Sequence, residues 1–187
     1  MSLIELKDLI SRFDERRDST PISLNDNESR ICGTQEIFDM NVGDVYLFIF
    51  FDEFDDSKAF DIISNESVSR KISKISINST INILTNNANK IKSLNFLSKS
   101  SAEINKRIRV QAIPKKLAEE IINDTLDNDF ILSSPSHALF IGKYSGPEKA
   151  RLSEVSSFLT LHDMDFFNAL KNYFLSIVSR AEKGEFR

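Results

Sequence analysis

Seven consecutive apolar residues, Val45-Tyr46-Leu47-Phe48-Ile49-Phe50-Phe51, fenced by Asp44 and Asp52, constrain this chain more than any other feature. No polar position interrupts them on a two-residue or a 3.6-residue period, so the element they form must be covered on both sides. The run is shorter than an ordinary helix and rich in aromatic and β-branched side chains. It therefore predicts a central β-strand with a packing layer on each face. A membrane span is excluded for the same stretch, because a helix needs about 20 residues to cross a bilayer.

The flanking sequence supplies elements of both kinds. Leu6, Leu9, Ile10 and Phe13 share one face of a helix expected over residues 3–17. Residues 18–30, with Asp18, Ser19, Pro21, Asn25, Asp26 and Asn27, read as a loop. Between residues 66 and 98 two periods compete: Ile75, Ile77, Ile81 and Ile83 alternate as in a strand, whereas Ile77, Ile81, Leu84, Ala88 and Ile91 step as in a helix. The helical reading is preferred beyond about residue 80. Arg107–Ile113 reads as a strand, and Pro114 opens the helix that carries Leu117, Ala118, Ile121, Ile122 and Leu126. Phe130–Leu132 and Ala138–Ile141 read as short strands, with Gly142 and Ser145-Gly146-Pro147 as punctuation.

Pro147 is expected to open a helix running to about Leu159, and Thr160-Leu161-His162-Asp163 resembles a capping box. The last helix carries a stripe of Phe166, Phe167, Leu170, Phe174, Ile177 and Val178, with a frayed tail at residues 183–187. Mixed elements without strict alternation give one α+β domain over residues 1–187, with a small mixed sheet, several helices and an amphipathic C-terminal helix. A chain of 187 residues buries about 70% of its unfolded surface, so one core suffices.

Chemistry-bearing residues are sparse. Cys32 is the only cysteine, which excludes an internal disulfide and a cysteine-based zinc site. His137 and His162 are the only histidines and are far apart in sequence, so no metal site and no cofactor is expected. His137 sits among Ser133, Ser134 and Ser136 without a Gly-x-Ser-x-Gly elbow and reads as a loop residue at a strand start. Cys32-Gly33 reads either as a reactive thiol in a turn or as an inert, partly buried cysteine, and the inert reading is preferred. Five glycines leave no Walker or dinucleotide-binding loop. Asp56-Ser57-Lys58, with Asp44 upstream, matches only half of a nuclease core, so an enzyme is not expected. The start Met1-Ser2-Leu3-Ile4-Glu5 shows no signal-peptide pattern, and with a lone cysteine a cytoplasmic or otherwise reducing compartment is expected.

Charge is where the sequence speaks about partners. The net charge of −4 conceals a sharp partition: residues 36–66 carry −8 and residues 67–116 carry +10, the latter with Glu103 as its single acid. Clustered basic side chains attract phosphate backbones, since each neutralised phosphate releases a counterion. Arg70, Lys71, Lys74, Lys106, Arg107, Arg109, Lys115 and Lys116 are the candidate contacts to nucleic acid or another polyanion. On a strand, Arg107, Arg109 and Gln111 share one face, and all three types read phosphates or base edges. The strand and the helix after Pro114 are similar to part of a ribbon-helix-helix DNA-binding unit. That family's second helix should follow, but Asp127–Gly146 reads as strand and loop, so membership is not assigned.

The opposite pole is Asp52, Glu53, Asp55 and Asp56, interleaved with Phe51 and Phe54. Such a surface suits an inhibitor or immunity-type protein that engages a basic protein partner. A third reading is a structural protein that forms homo-oligomers through its opposite charges. A contrary possibility is internal: the two segments neutralise each other within one fold.

Overall fold

A computed structural model describes residues 1–52, 55–98, 106–123, 128–142 and 157–185. In it Val45–Ile49 is a fully buried strand inside a seven-stranded mixed sheet, as the apolar run requires. In chain order the described elements are Leu3–Arg16 (α1), Ile22–Ser23 (β1), Asn27–Asp39 (α2), Val45–Ile49 (β2), Lys58–Ser64 (α3), Glu66–Ile75 (α4) and Ile81–Thr85 (β3). Ala88–Lys92 (α5), Asn95–Ser98 (α6), Ile108–Ala112 (β4), Lys115–Asn123 (α7), Asp129–Ser133 (β5), His137–Ile141 (β6), Ser157–Thr160 (β7) and Met164–Lys183 (α8) follow. The strands lie in the order β1-β7-β6-β5-β2-β3-β4. β2, β3 and β4 run parallel, whereas β5, β6, β7 and β1 join by antiparallel pairing. The protein is α+β. Among the described residues no helix is long and apolar enough to cross a membrane.

Alternate residues of the sheet feed two cores. Val45, Leu47 and Ile49 face the layer built by α1 to α6, with Leu6, Ile37, Ile62, Ile72 and Ile91. Tyr46 and Phe48 face α7 and α8, with Leu117, Ile121, Phe167, Phe174 and Ile177. Phe48 stacks on Phe130 with ring centroids 5.0 Å apart and meets Tyr173 edge-on at 5.8 Å. Burial contributes about 1.5–3 kcal/mol for each such large apolar side chain. The expected stripe on the last helix is thus consumed by its own sheet: Phe167, Phe174 and Ile177 are buried, and Phe166, Leu170 and Val178 pack against the same core.

Helix starts follow capping chemistry. Ser2 and Glu5 form a capping box on α1, Asp26 caps α2, and Ser57 and Asn65 cap α3 and α4. This chemistry corrects the loop expected at 18–30. Ile22–Ser23 pairs with β7, and α2 begins at Asn27, because the turn-forming Asp26 accepts from the Ser29 amide at 2.7 Å. Cys32 lies inside α2 rather than in a turn; it is buried, and burial pushes its thiol pKa up.

Three further expectations are corrected. Ile81–Thr85 is a strand, not a helix; its false three- and four-residue spacing arises because a central strand buries Ile81 and Ile83 on one face and Leu84 on the other. Ser157–Thr160 is a strand, so no helix reaches Leu159, and the segment from Pro147 to residue 156 lies outside the described residues. Asp163, not Thr160, caps the last helix, accepting from the Phe166 amide at 2.9 Å. That helix ends at Lys183 with Gly184 in a left-handed C-cap; residues 186–187 lie outside the described residues.

Asp129, the first residue of β5, ties the carboxyl end of β2 to α3. Its buried carboxylate accepts from the Phe50 amide (2.8 Å), the Ser57 hydroxyl (2.8 Å) and the Ala59 amide (3.0 Å). Asp129→Ala strands three buried donors, each costing about 1–3 kcal/mol. Urea unfolding of this variant is expected to show a loss of about 3–5 kcal/mol; a loss below 1 kcal/mol would contradict the reading.

Candidate functional sites: a basic edge and a histidine pair

The acidic and basic poles meet within the fold. Beyond β2 the chain turns tightly: Asp55, in the left-handed region at φ 60°, donates its amide to the Asp52 carbonyl at 3.0 Å. The Asp56 amide donates to Asp52 Oδ1 at 3.0 Å. β2 and β3 are parallel neighbours, so this loop stands beside the one that follows β3. There Lys90 Nζ reaches Asp55 Oδ2 at 2.9 Å, and Asn87 Nδ2 reaches Asp55 Oδ1 at 3.0 Å. Lys90 holds the Asp55 carboxyl below its ordinary pKa. Lys58 lies 2.8 Å from Asp56 and 3.6 Å from Asp61, and the bond to Asp56 raises its pKa. Glu53 lies outside the described residues.

The half-nuclease pattern does not assemble. Asp44 precedes β2 and Asp56 follows it, so the two acids stand at opposite ends of the strand. Asp44 Oδ1 is occupied by the Thr80 amide at 3.1 Å.

The eight basic candidates divide into two sets. Arg70 pairs with Glu66 at 2.6 Å, and Lys71 pairs with Asp39 across the α2–α4 contact. Both are drawn toward the acidic segment. The rest follow the sheet's outer strand. Lys106 and Arg107 lead into β4, Arg109 sits within it opposite Asn82, and Lys115 and Lys116 open α7 just beyond it. All five are exposed, and Lys74, in the last turn of α4, is exposed too. Lys115 has Glu119 at 3.9 Å; Lys74, Lys106, Arg107, Arg109 and Lys116 have no ion pair with another described residue. Arg107 lies in the turn that leads into β4, and Arg109 is on the strand itself two residues on. Gln111, two residues further, donates to the Val178 carbonyl of α8 at 3.4 Å and is part of the packing.

A second constellation escaped the sequence. Pairing of Ala138 with Thr160 places His137, at the start of β6, beside the end of β7 and His162. Their ring centroids are 5.4 Å apart at 70°. Asp14, from the last turns of α1, closes the group, with Oδ1 2.8 Å from His162 Nε2. His137 is 2% exposed and neither ring nitrogen has a hydrogen-bond partner. Burial pushes its pKa down and His162 adds to this, with Asp14 and the nearby Ser133 backbone, which makes no well-formed hydrogen bond to the ring, pulling the other way. The expectation of a loop residue at a strand start is right about the strand start, and His137 is itself the first, buried residue of β6. No spacing motif marks this cluster; only the β6–β7 register would have revealed it.

No protein-family model matches the sequence, and no curated protein matches it either. Among solved structures, TrmBL2, an archaeal chromatin protein with a novel mode of DNA binding, superposes with a TM-score of 0.57 at 11% identity over 94% of this chain. This chain spans 59% of that one. NucT from Helicobacter pylori superposes with a TM-score of 0.50 at 8% identity, covering 87% of this chain and 97% of its own. These likenesses define a shared fold.

Lys90 also lies over two rings, 4.7 Å from the Phe51 centroid and 5.4 Å from that of Phe60. Lys90→Ala is expected to lower stability by about 1–2 kcal/mol in urea unfolding, with Lys92→Ala near neutral. Equal effects at the two positions would show that Lys90 does not bind the two loops together.

Proposed function

We propose that this chain is a nucleic-acid-binding module that works by contact, through Lys106, Arg107 and Arg109 at β4 and Lys115 and Lys116 just beyond it, with the exposed Lys74 of α4 as a further candidate. One observation carries the reading: the fold neutralises Arg70, Lys71 and Lys90 with its own acids but leaves the basic side chains of the outer strand exposed. Unpaired, solvated cations are the ones that release phosphate counterions at no internal cost. The likeness in fold to a DNA-binding chromatin protein supports the same assignment. The acidic loop offers less to a basic partner, because Asp55 and Asp56 already hold Lys90 and Lys58. Opposite charges meeting inside one chain also remove the reason to expect self-association through them.

Fluorescence anisotropy with a short DNA duplex at two salt concentrations tests the proposal. Affinity is expected to fall with salt, and the Arg107→Ala/Arg109→Ala variant to weaken binding and reduce the salt slope by about two. Arg70→Ala/Lys71→Ala is expected to change the slope by less than half of that. No binding at low salt, or equal losses in the two variants, would overturn the assignment.

A further inference from the structure

We propose that Asp14, His137 and His162 form a binding site for a divalent transition-metal ion of zinc's chemistry, independent of the basic edge. One ligand atom from each residue already lies within 4.8 Å of the other two. Two imidazoles bound to one tetrahedral ion, with metal–nitrogen distances of about 2.0–2.1 Å, have ring centres roughly 5 Å apart. The observed separation of 5.4 Å is close to that spacing. Closing the three ligand atoms around a metal requires them to draw in from that 4.8 Å spread.

The donor set selects the ion. Two imidazole nitrogens and one carboxylate suit zinc and its first-row neighbours, whereas magnesium and calcium take oxygen ligands. Three protein ligands leave a fourth position for water or an exogenous donor. That position is reachable, because the side chains of His162 and Asp14 are 23% and 40% exposed while His137 forms the buried floor. A simple hydrogen bond between Asp14 and His162 explains those two residues but not the third. A buried imidazole with neither nitrogen satisfied is the feature that calls for a ligand. Bound there, the ion would join α1 to the end of the β6–β7 pair, elements otherwise linked at this point by the Asp14–His162 contact.

The test uses the chain without an affinity tag, stripped with a chelator and dialysed against zinc, with metal content read by elemental analysis and affinity by competition with a chromophoric chelator. One zinc per chain is expected. Outer-shell changes at metal sites weaken binding 10–100-fold, so His162→Ala, which removes a ligand, is expected to weaken it by more than about 100-fold and Asp14→Asn by about 10-fold or more. Both residues are half-buried rather than in the core, and Asp14→Asn keeps the side-chain volume, so with folding checked by circular dichroism they carry the test if His137→Ala fails to fold. Cobalt substitution gives a second readout: visible absorption of a tetrahedral ion, lost in His162→Ala. Substoichiometric zinc in the native chain, or undiminished binding in His162→Ala, would overturn the proposal.

Discussion

The two-sided burial of β2 is the constraint on which the rest of the architecture depends. A strand with Val45, Leu47 and Ile49 on one face and Tyr46 and Phe48 on the other cannot border solvent, so it needs a strand on each edge and a helical layer on each side. The chain meets this with parallel neighbours on one edge and an antiparallel one on the other. Parallel pairing forces crossovers, and α3 to α6, which lie between β2, β3 and β4 in sequence, supply the same core. The opposite face is then left for α7 and α8.

That topology also decides the electrostatics. In a parallel pair the carboxyl ends of both strands point the same way, so the acidic loop after β2 stands beside the segment after β3. Asp55 meets Lys90 for this reason, and Lys71 meets Asp39 because α4 packs on α2. The −8 and +10 segments are therefore partly one internal network. The charges that escape lie in and around β4, the last strand on its side, with no acidic loop beside it among the described residues. Charged side chains there also discourage pairing with another chain's edge, so they serve the fold whether or not a polyanion is bound.

Much of the fold was legible in the sequence where a pattern had a single physical cause. The apolar run at 45–51, the helix face of Leu6, Leu9 and Ile10, and the strand–proline–helix passage at 107–123 all form as their patterns require. Failures arose where one pattern had two causes. Ile81, Ile83 and Leu84 mimic helical spacing because a central strand shows apolar residues on both faces. Asp26 reads as a turn residue because turns and helix N-caps use the same side-chain hydrogen bond. For the sites, the sequence located the basic residues but not their division, since neutralisation depends on which loops the sheet brings together. His137, His162 and Asp14 were invisible as a group, because their proximity comes from the β6–β7 register and the placement of α1, neither of which leaves a spacing signature.

Asp14 and His137 each run against a local preference. A carboxylate near the end of α1 faces the negative pole of that helix, an arrangement the macrodipole disfavours by a few tenths of a kcal/mol or more. A buried imidazole whose ring-nitrogen lone pair has no partner costs about 1–3 kcal/mol relative to an apolar residue of similar shape. Against a net folding stability of about 5–15 kcal/mol, penalties of this size are not incidental. The Asp14–His162 contact offsets the first and leaves the second unmet, since His137 points into the cluster without a proton partner. A cation shared by all three relieves both at once: it satisfies the helix-terminal carboxylate and gives the buried nitrogen lone pair a partner. Adjacent groups that are individually unfavourable and collectively complementary to one ligand are what distinguish a binding site from a packing defect.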